Sequence, residues 1–138
     1  MSKTVTIDDV TLHMSHPDEL PMKWVGQKEF MDQILAAWLV VGPDDLPLSP
    51  RLLGKPGVGK TTLAYAAAKK LNREAYMFQA TMDTRPEDLL VTPVISEAGK
   101  IQYVASSIVT AVNSAGNPRS PAIAIAPFNS RVPSVTVR

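Results

Sequence analysis

The chain has 138 residues, of which 45% are hydrophobic and 20% charged, the composition of an ordinary globular protein with one domain. Its 14 Lys and Arg nearly balance its 13 Asp and Glu, so no strong field favours nucleic acid or an anionic membrane as a partner. The absence of Cys excludes a disulfide scaffold, a thiolate zinc site and a cysteine nucleophile. The apolar stretch at residues 34–41 is too short to span a bilayer. We therefore expect a cytoplasmic protein.

The first predicted elements follow an N-terminal extension over residues 1–22. Apolar side chains recur at helical spacing over residues 30–41, and the Gly42-Pro43 pair predicts the end of this helix. Residues 49–53, which are apolar at their end, predict a short strand, which a glycine-rich turn connects to a second helix over residues 60–71. Strand, loop and helix thus follow one another without interruption.

Three further elements are predicted before residue 111. Residues 75–79 have the aromatic content of a strand, and the spacing of Thr84 and Glu87 is that of a capping box at the start of a short helix. Residues 94–95 and 101–104 flank a five-residue loop, which predicts a β-hairpin. The large side chains expected in the core are Trp24, Phe30, Met31, Trp38, Tyr76, Met77 and Phe78, of which Trp24 could also line a ligand.

The last segment, residues 112–138, differs from the rest in composition. It holds three Arg, no acidic residue and four of the twelve Pro, interspersed with small residues. Such a composition is typical of loops or of a disordered tail. We expect a separate Pro- and Ser-rich tail that begins near Ala111.

Residues 54–61 read Gly-Lys-Pro-Gly-Val-Gly-Lys-Thr and match the G-x-x-x-x-G-K-[ST] pattern of the phosphate-binding loop. Glycines without a Cβ let consecutive backbone N–H groups form an anion nest, and the helix that follows adds its dipole. Lys60 is expected on the β- and γ-phosphates of ATP, and the Thr61 hydroxyl on Mg²⁺. The alternative is a glycine-rich turn that merely begins a helix. The predicted phosphate-binding residues are Gly54, Pro56, Gly57, Val58, Gly59, Lys60, Thr61 and Thr62.

Other polar groups give weaker signals. His13 and His16 lie three residues apart without the acidic neighbours of a metal site, so a solvated pair is the better interpretation. The carboxylate pairs are adjacent in sequence, where two side chains seldom face one reacting atom, and we interpret them as caps: Asp8/Asp9, Asp44/Asp45 and Glu87/Asp88.

Three segments together resemble the AAA+ ATPases of the MoxR type: Val25-Gly26-Gln27, residues 51–64 around the phosphate loop, and residues 81–90. The hairpin around residues 97–100 also resembles an insertion of that clade. The resemblance implies a three-layer αβα P-loop NTPase core that hydrolyses ATP, assembles into a ring, often a hexamer, and remodels client proteins, often with a von Willebrand factor A-domain partner. It also places Val25 and Gly26 against the adenine. Residues 23–111 are then a partial nucleotide-binding core.

The sequence departs from this family at the hydrolytic strand, which is an apolar run followed by Asp-Glu. The nearest apolar run is 122–126, and it is followed by Pro127-Phe128, with no carboxylate after Glu97. The catalytic residues therefore stay unassigned. The acid-free composition begins where the hydrolytic strand should come, which predicts a truncated or frame-shifted product.

Four functions are compatible with these patterns. The leading one is an ATP-binding MoxR-like chain that hydrolyses ATP weakly or not at all. A small phosphoryl-transfer kinase is the second, although only Arg119 and Arg131 are available as lid residues downstream. The third is a non-enzymatic module that docks on intact ring subunits or on a client. The last is a product that barely folds because strands of its sheet are missing.

Overall fold

The computed structural model describes residues 4–21, 23–42 and 44–114, together with the backbone of residues 122–127 and 134–137. The described strands form two sheets of four strands each. In chain order the elements are β1 (Thr4–Ile7), β2 (Val10–His13), α1 (Lys28–Ala37), β3 (Arg51–Leu53), α2 (Lys60–Lys70), β4 (Ala75–Ala80), a 3₁₀ turn (Pro86–Leu89), β5 (Val91–Ile95), β6 (Ile101–Ala105), α3 (Ser107–Ser114), β7 (Ala122–Pro127) and β8 (Ser134–Val137).

The core sheet has the strand order β3-β8-β7-β4. Strand β7 is parallel to β4, from the Ala75–Ala122 pair to the Ala80–Pro127 pair, whereas β8 is antiparallel to both β7 and β3. Consequently β3, β4 and β7 run in one direction and end at the same edge of the sheet. Ligands of open α/β sheets bind beyond the carboxyl ends of the strands, so this edge is the place to look for a site.

Helices cover both faces of the core sheet. On one face, α1 packs on α2, and the buried side chains of Met31, Ile34 and Trp38 meet Leu63 and Ala67. Ala75 of β4 belongs to the same cluster, whereas Tyr76, which alternates to the other face, packs with Ala111 of α3. The result is a mixed α/β core with a helical layer on each side, which fits the α/β core that the resemblance implies.

Tyr76 is the one described residue with a resolved change in pKa. Its side chain is only 3% exposed, and its hydroxyl donates a 3.0 Å hydrogen bond to Glu74 Oε2. Burial, followed by the hydrogen bond and the charge of Glu74, raises the pKa of Tyr76 to about 12. The hydroxyl therefore keeps its proton, and its hydrogen bond, well above neutral pH.

The hairpin sheet has the strand order β1-β2-β6-β5 and is attached to the core through α3. The Ser15 N–H donates to Thr110 Oγ1 at 3.0 Å, and the Ser15 hydroxyl donates to the Ala105 carbonyl at 2.7 Å. The Ser106 hydroxyl donates to the Leu89 carbonyl at 2.6 Å, which fixes the start of α3 beside the 3₁₀ turn. Thr110 thus holds the chain that follows β2 against α3, and Ser106 holds the 3₁₀ turn that precedes β5.

Replacing Thr110 with Val tests this attachment. Thr110 is 1% exposed, so its removal as an acceptor leaves the Ser15 N–H unpaired, and we expect the free energy of unfolding to fall by about 1–3 kcal/mol. Thr110→Ser keeps the oxygen and should retain most of the stability. Urea denaturation followed by circular dichroism measures both, and a larger loss in Thr110→Ser than in Thr110→Val would show that the methyl group, not the hydrogen bond, matters.

Two predicted elements have different bounds in the structure. Helix α1 begins earlier than expected and ends at Ala37, because the chain turns back and the Ala37 carbonyl accepts the Leu48 N–H at 2.8 Å. The capping box lies one residue later than predicted, since Asp88 Oδ2 accepts the Arg85 N–H at 2.9 Å. Thr84 instead accepts the N–H of Thr81, at 2.7 Å.

The chain ends contain more structure than the sequence suggests. The N-terminal extension forms β1 and β2, and α3 continues past Ala111 to Ser114. The prediction of a disordered tail is wrong for residues 122–127 and 134–137, which join the core sheet because their backbone groups find partners on β4 and β3. Most of the rest of the tail lies outside the described residues. Among the described helices, none has both the length and the apolar content needed to cross a membrane.

Candidate phosphate-binding site

The phosphate loop joins the carboxyl end of β3 to the amino end of α2. Gly57 and Gly59 have φ of 79° and 86°, the left-handed region that glycine adopts without strain, and Gly59 is the N-cap of α2. The first helical hydrogen bond runs from the Leu63 N–H to the Gly59 carbonyl at 2.8 Å. The N–H groups of the first turn therefore point out of the helix toward the loop, as an anion site requires.

Lys60 crosses this loop from its position in the first turn of α2. Its Nζ donates to the carbonyls of Gly54 and Lys55, at 2.9 and 2.8 Å. Because the donor carries a full charge, these hydrogen bonds are stronger than those between neutral groups. They hold the ammonium within the loop, where a phosphate oxygen would meet it.

Trp24 packs against the phosphate loop and is the contact that sequence reasoning did not predict. A Cβ on Gly59 would lie 3.1 Å from Trp24 Cζ3, and a Cβ on Gly26 would overlap the indole ring. Both positions therefore need glycine while the ring stays in place. The sequence offers no pattern for this contact beyond the aromatic residue itself, which lies far from the loop in the chain.

Two cavities meet at Trp24. The larger, of about 760 Å³, is lined by Val25, Gly26, Tyr65 and others, including four Lys, of which Lys28 lies 3.8 Å from the Asp32 carboxylate. The smaller, of about 420 Å³, is lined by Val58, Gly59 and Lys60 of the loop together with residues of β3. The four Lys of the larger cavity are Lys23, Lys28, Lys69 and Lys70, and the α1 and β3 residues of the smaller one are Phe30, Gln33, Arg51, Leu52 and Leu53.

The predicted site residues thus divide into three groups. Val25 and Gly26 line the larger cavity, and Val25 is 91% exposed. Val58, Gly59 and Lys60 line the smaller one, with Phe30 beside them at 49% exposure rather than in the core. The remaining predicted residues, which line neither of these two cavities, lie within the loop or the first turn of α2: Gly54, Pro56, Gly57, Thr61 and Thr62.

The residues of the loop fit the phosphate groups of a nucleoside triphosphate. A Cβ on Gly57 would have no atom within 4 Å, so the loop has free space beside a backbone already in the nest conformation. One side chain of the loop region is a candidate ligand of Mg²⁺. Thr61 lies in the first turn of α2, as predicted for a ligand, but the described residues contain no group of three or more His, Asp or Glu that could hold a metal ion.

Strand β7 lies where a hydrolytic carboxylate would be expected. It is parallel to β4 and ends at Pro127, at the same edge of the core sheet as the phosphate loop. The sequence has no Asp or Glu after Glu97, so neither Pro127 nor the residues that follow supply a carboxylate there. The apolar strand is therefore present, contrary to the sequence-based expectation, whereas its acidic residues are missing.

The other polar candidates lie elsewhere. His13 ends β2, and Asp8 and Asp9 form the turn between β1 and β2, both with positive φ. Asp45 accepts the Gly42 N–H at 2.7 Å, and Asp88 caps the 3₁₀ turn. The carboxylates of Asp45 and Asp88 thus bind backbone N–H groups, as the sequence predicts.

Comparison with known families agrees with this arrangement of strand, glycine loop and helix. The family described as AAA domain (dynein-related subfamily) matches residues 51–126, which is more than half of the chain. This protein therefore belongs to the AAA domain family, whose members bind nucleotides and often form oligomers. The match runs from β3 to β7 and so includes part of the segment expected to be a tail. Comparison with curated proteins found no match, and comparison with solved structures found none either.

Proposed function

We propose that this chain binds Mg-ATP through its phosphate loop and hydrolyses it very slowly. The observation that carries the proposal is the loop itself: left-handed glycines at the start of α2, with the Lys60 ammonium held inside the loop. The backbone N–H groups of the loop and the Lys60 ammonium would bind and orient the phosphate groups of ATP. The Thr61 hydroxyl is available to Mg²⁺.

Slow hydrolysis is inferred from the end of β7. Water must be positioned and activated by a carboxylate beside the γ-phosphate, and removing such a group costs orders of magnitude in rate. Binding is less affected, because it depends on backbone N–H groups and one lysine. The sequence places no carboxylate after Glu97, so binding and turnover are separated in this chain.

Within the AAA domain family, residues 81–90 and the β5–β6 hairpin support a place near the MoxR branch. The corresponding cellular role is ring assembly and the remodelling of a protein client.

Calorimetric titration with ATP and Mg²⁺, alongside a phosphate-release assay, tests the proposed function. We expect a Kd on the order of 1–100 µM and a turnover below about 0.01 s⁻¹, against 1 s⁻¹ or more for typical enzymes. Failure to bind ATP would refute the proposal. A turnover of about 1 s⁻¹ that Lys60→Ala abolishes would refute the proposed slow hydrolysis. It would mean that a carboxylate elsewhere in the chain activates the water.

A further inference from the structure

The hairpin sheet segregates its side chains by polarity. The register pairs Leu12 with Tyr103 across β2 and β6, and Ile95 with Ile101 across β5 and β6, so these side chains share one face. The side chains on this apolar sheet face are Val5, Ile7, Val10, Leu12, Val91, Pro93, Ile95, Ile101, Tyr103 and Ala105. The opposite face carries Thr4, Thr6, Thr11, His13, Thr92, Val94, Gln102 and Val104.

Much of the apolar sheet face is open to solvent. Ile95 is 75% exposed, Ile101 66% and Ile7 52%, and Val10 and Tyr103 are each more than 40% exposed. In the described part of the chain, α3 and the 3₁₀ turn contact this sheet only near its attachment, at Ser15, Ala105 and Ser106. A half-exposed antiparallel sheet normally turns its apolar side toward a core. Here the rest of the described chain covers that side only at one end, where Ala105 is 1% exposed, and leaves the other end open to solvent.

The size of this face suits a small interface. Strands about 4.8 Å apart with residues about 3.3 Å apart give four strands of four or five residues a footprint of roughly 300 Å². Because side chains protrude, packing two such faces together would bury about 1,000 Å² in total, which is the size of a weak interface rather than of a stable one. One face is about as large as the largest exposed apolar patch of a typical monomer, and such patches are often functional.

We propose that the apolar sheet face is a self-association surface on which the same face of a second copy packs. No charged residue lies on the face, so two identical faces meet without like-charge repulsion, and nothing on it selects a charged partner. Two sheets stacked about 10 Å apart bury their inner side chains as in a β-sandwich, and a twofold axis pairs every residue with a complementary one. Self-association through this face is independent of nucleotide.

Sedimentation velocity of the full chain from about 1 to 200 µM tests this proposal, since a small interface predicts a dimer Kd on the order of 10 µM. Ile101→Lys places a charge on the apolar sheet face and should raise the dimer Kd at least about tenfold. Gln102→Lys is the matched control, because the next residue points to the opposite face and is also exposed. It should leave the Kd within about twofold, which is under 0.5 kcal/mol.

Three outcomes would overturn the proposal. The first is a wild-type chain that stays monomeric throughout the range, and the second is an equal effect of Ile101→Lys and Gln102→Lys. The third is a monomeric wild type that co-sediments with phosphatidylcholine vesicles while Ile101→Lys does not, which would assign the face to lipid. Circular dichroism shows whether Ile101→Lys folds. Ile95→Lys, at the most exposed position of the face, serves as a second variant.

Discussion

Replacing Lys60 with Ala should weaken ATP binding at least about 100-fold, the loss expected when a charge-assisted contact to phosphate is removed. Lys60 is the one loop side chain whose ammonium lies among the loop carbonyls, bonded to Gly54 and Lys55. Intrinsic fluorescence can follow the titration, because the Trp24 ring packs against Gly59, next to the expected phosphates. The second tryptophan, Trp38, is 2% exposed and should contribute a constant background.

Lys55→Ala is the matched control for this change. The Lys55 side chain is exposed and belongs to the same loop, but it is the Lys55 backbone carbonyl that binds Lys60, so the loop contact survives. We expect its ATP affinity to change less than about threefold, which is under 1 kcal/mol. A fall of similar size in both variants would mean that the loop binds by net charge alone, and no change in Lys60→Ala would remove phosphate binding from this loop.

Replacing Ile34 with Ala should lower the free energy of unfolding by about 2–5 kcal/mol, enough to reduce Tm by roughly 10 °C. Ile34 is 2% exposed and lies in the cluster that joins α1 to α2, so its deletion leaves a cavity behind the helix that carries the phosphate loop. A calorimetric or circular dichroism melt measures the change.

Val41→Ala provides the comparison for Ile34→Ala. Val41 is 83% exposed, so truncating it removes little buried surface, and its cost should stay below about 0.5 kcal/mol. A mild loss for Ile34→Ala, close to that of Val41→Ala, would show that the contact between α1 and α2 does not hold the core together.

The phosphate loop could be predicted because all its determinants are local. Gly57, Gly59 and Lys60 lie within four residues, and the helix that completes the site begins with Lys60 itself. Helix α2 could be predicted for the same reason, since its positively charged last turn and the positive φ of Asn72 just after it mark its end. Local chemistry thus determines both helix α2 and the phosphate loop.

The β5–β6 hairpin could be predicted, but the rest of the hairpin sheet and the contact of Trp24 with the phosphate loop could not. Strands β1 and β2 are short, and β2 finds its partner β6 only across most of the chain, as the Ser15–Thr110 hydrogen bond with its separation of 95 residues shows. Trp24 is one aromatic residue among several with core-like character, and only the folded chain brings it to Gly59. Periodicity describes a segment, whereas these contacts depend on how distant segments meet.

The same pairing of β2 with β6 sets the order in which a newly made chain can fold. Leu12 leaves the ribosome about 90 residues before its partner Tyr103, an interval of roughly 5–20 s at ordinary rates of synthesis. Helices α1 and α2 can pack together during that time, because closing a short loop costs less entropy than closing a long one. The β1–β2 hairpin has to wait with the edge of β2 unpaired, so the stage of synthesis before β6 emerges is the one most exposed to aggregation.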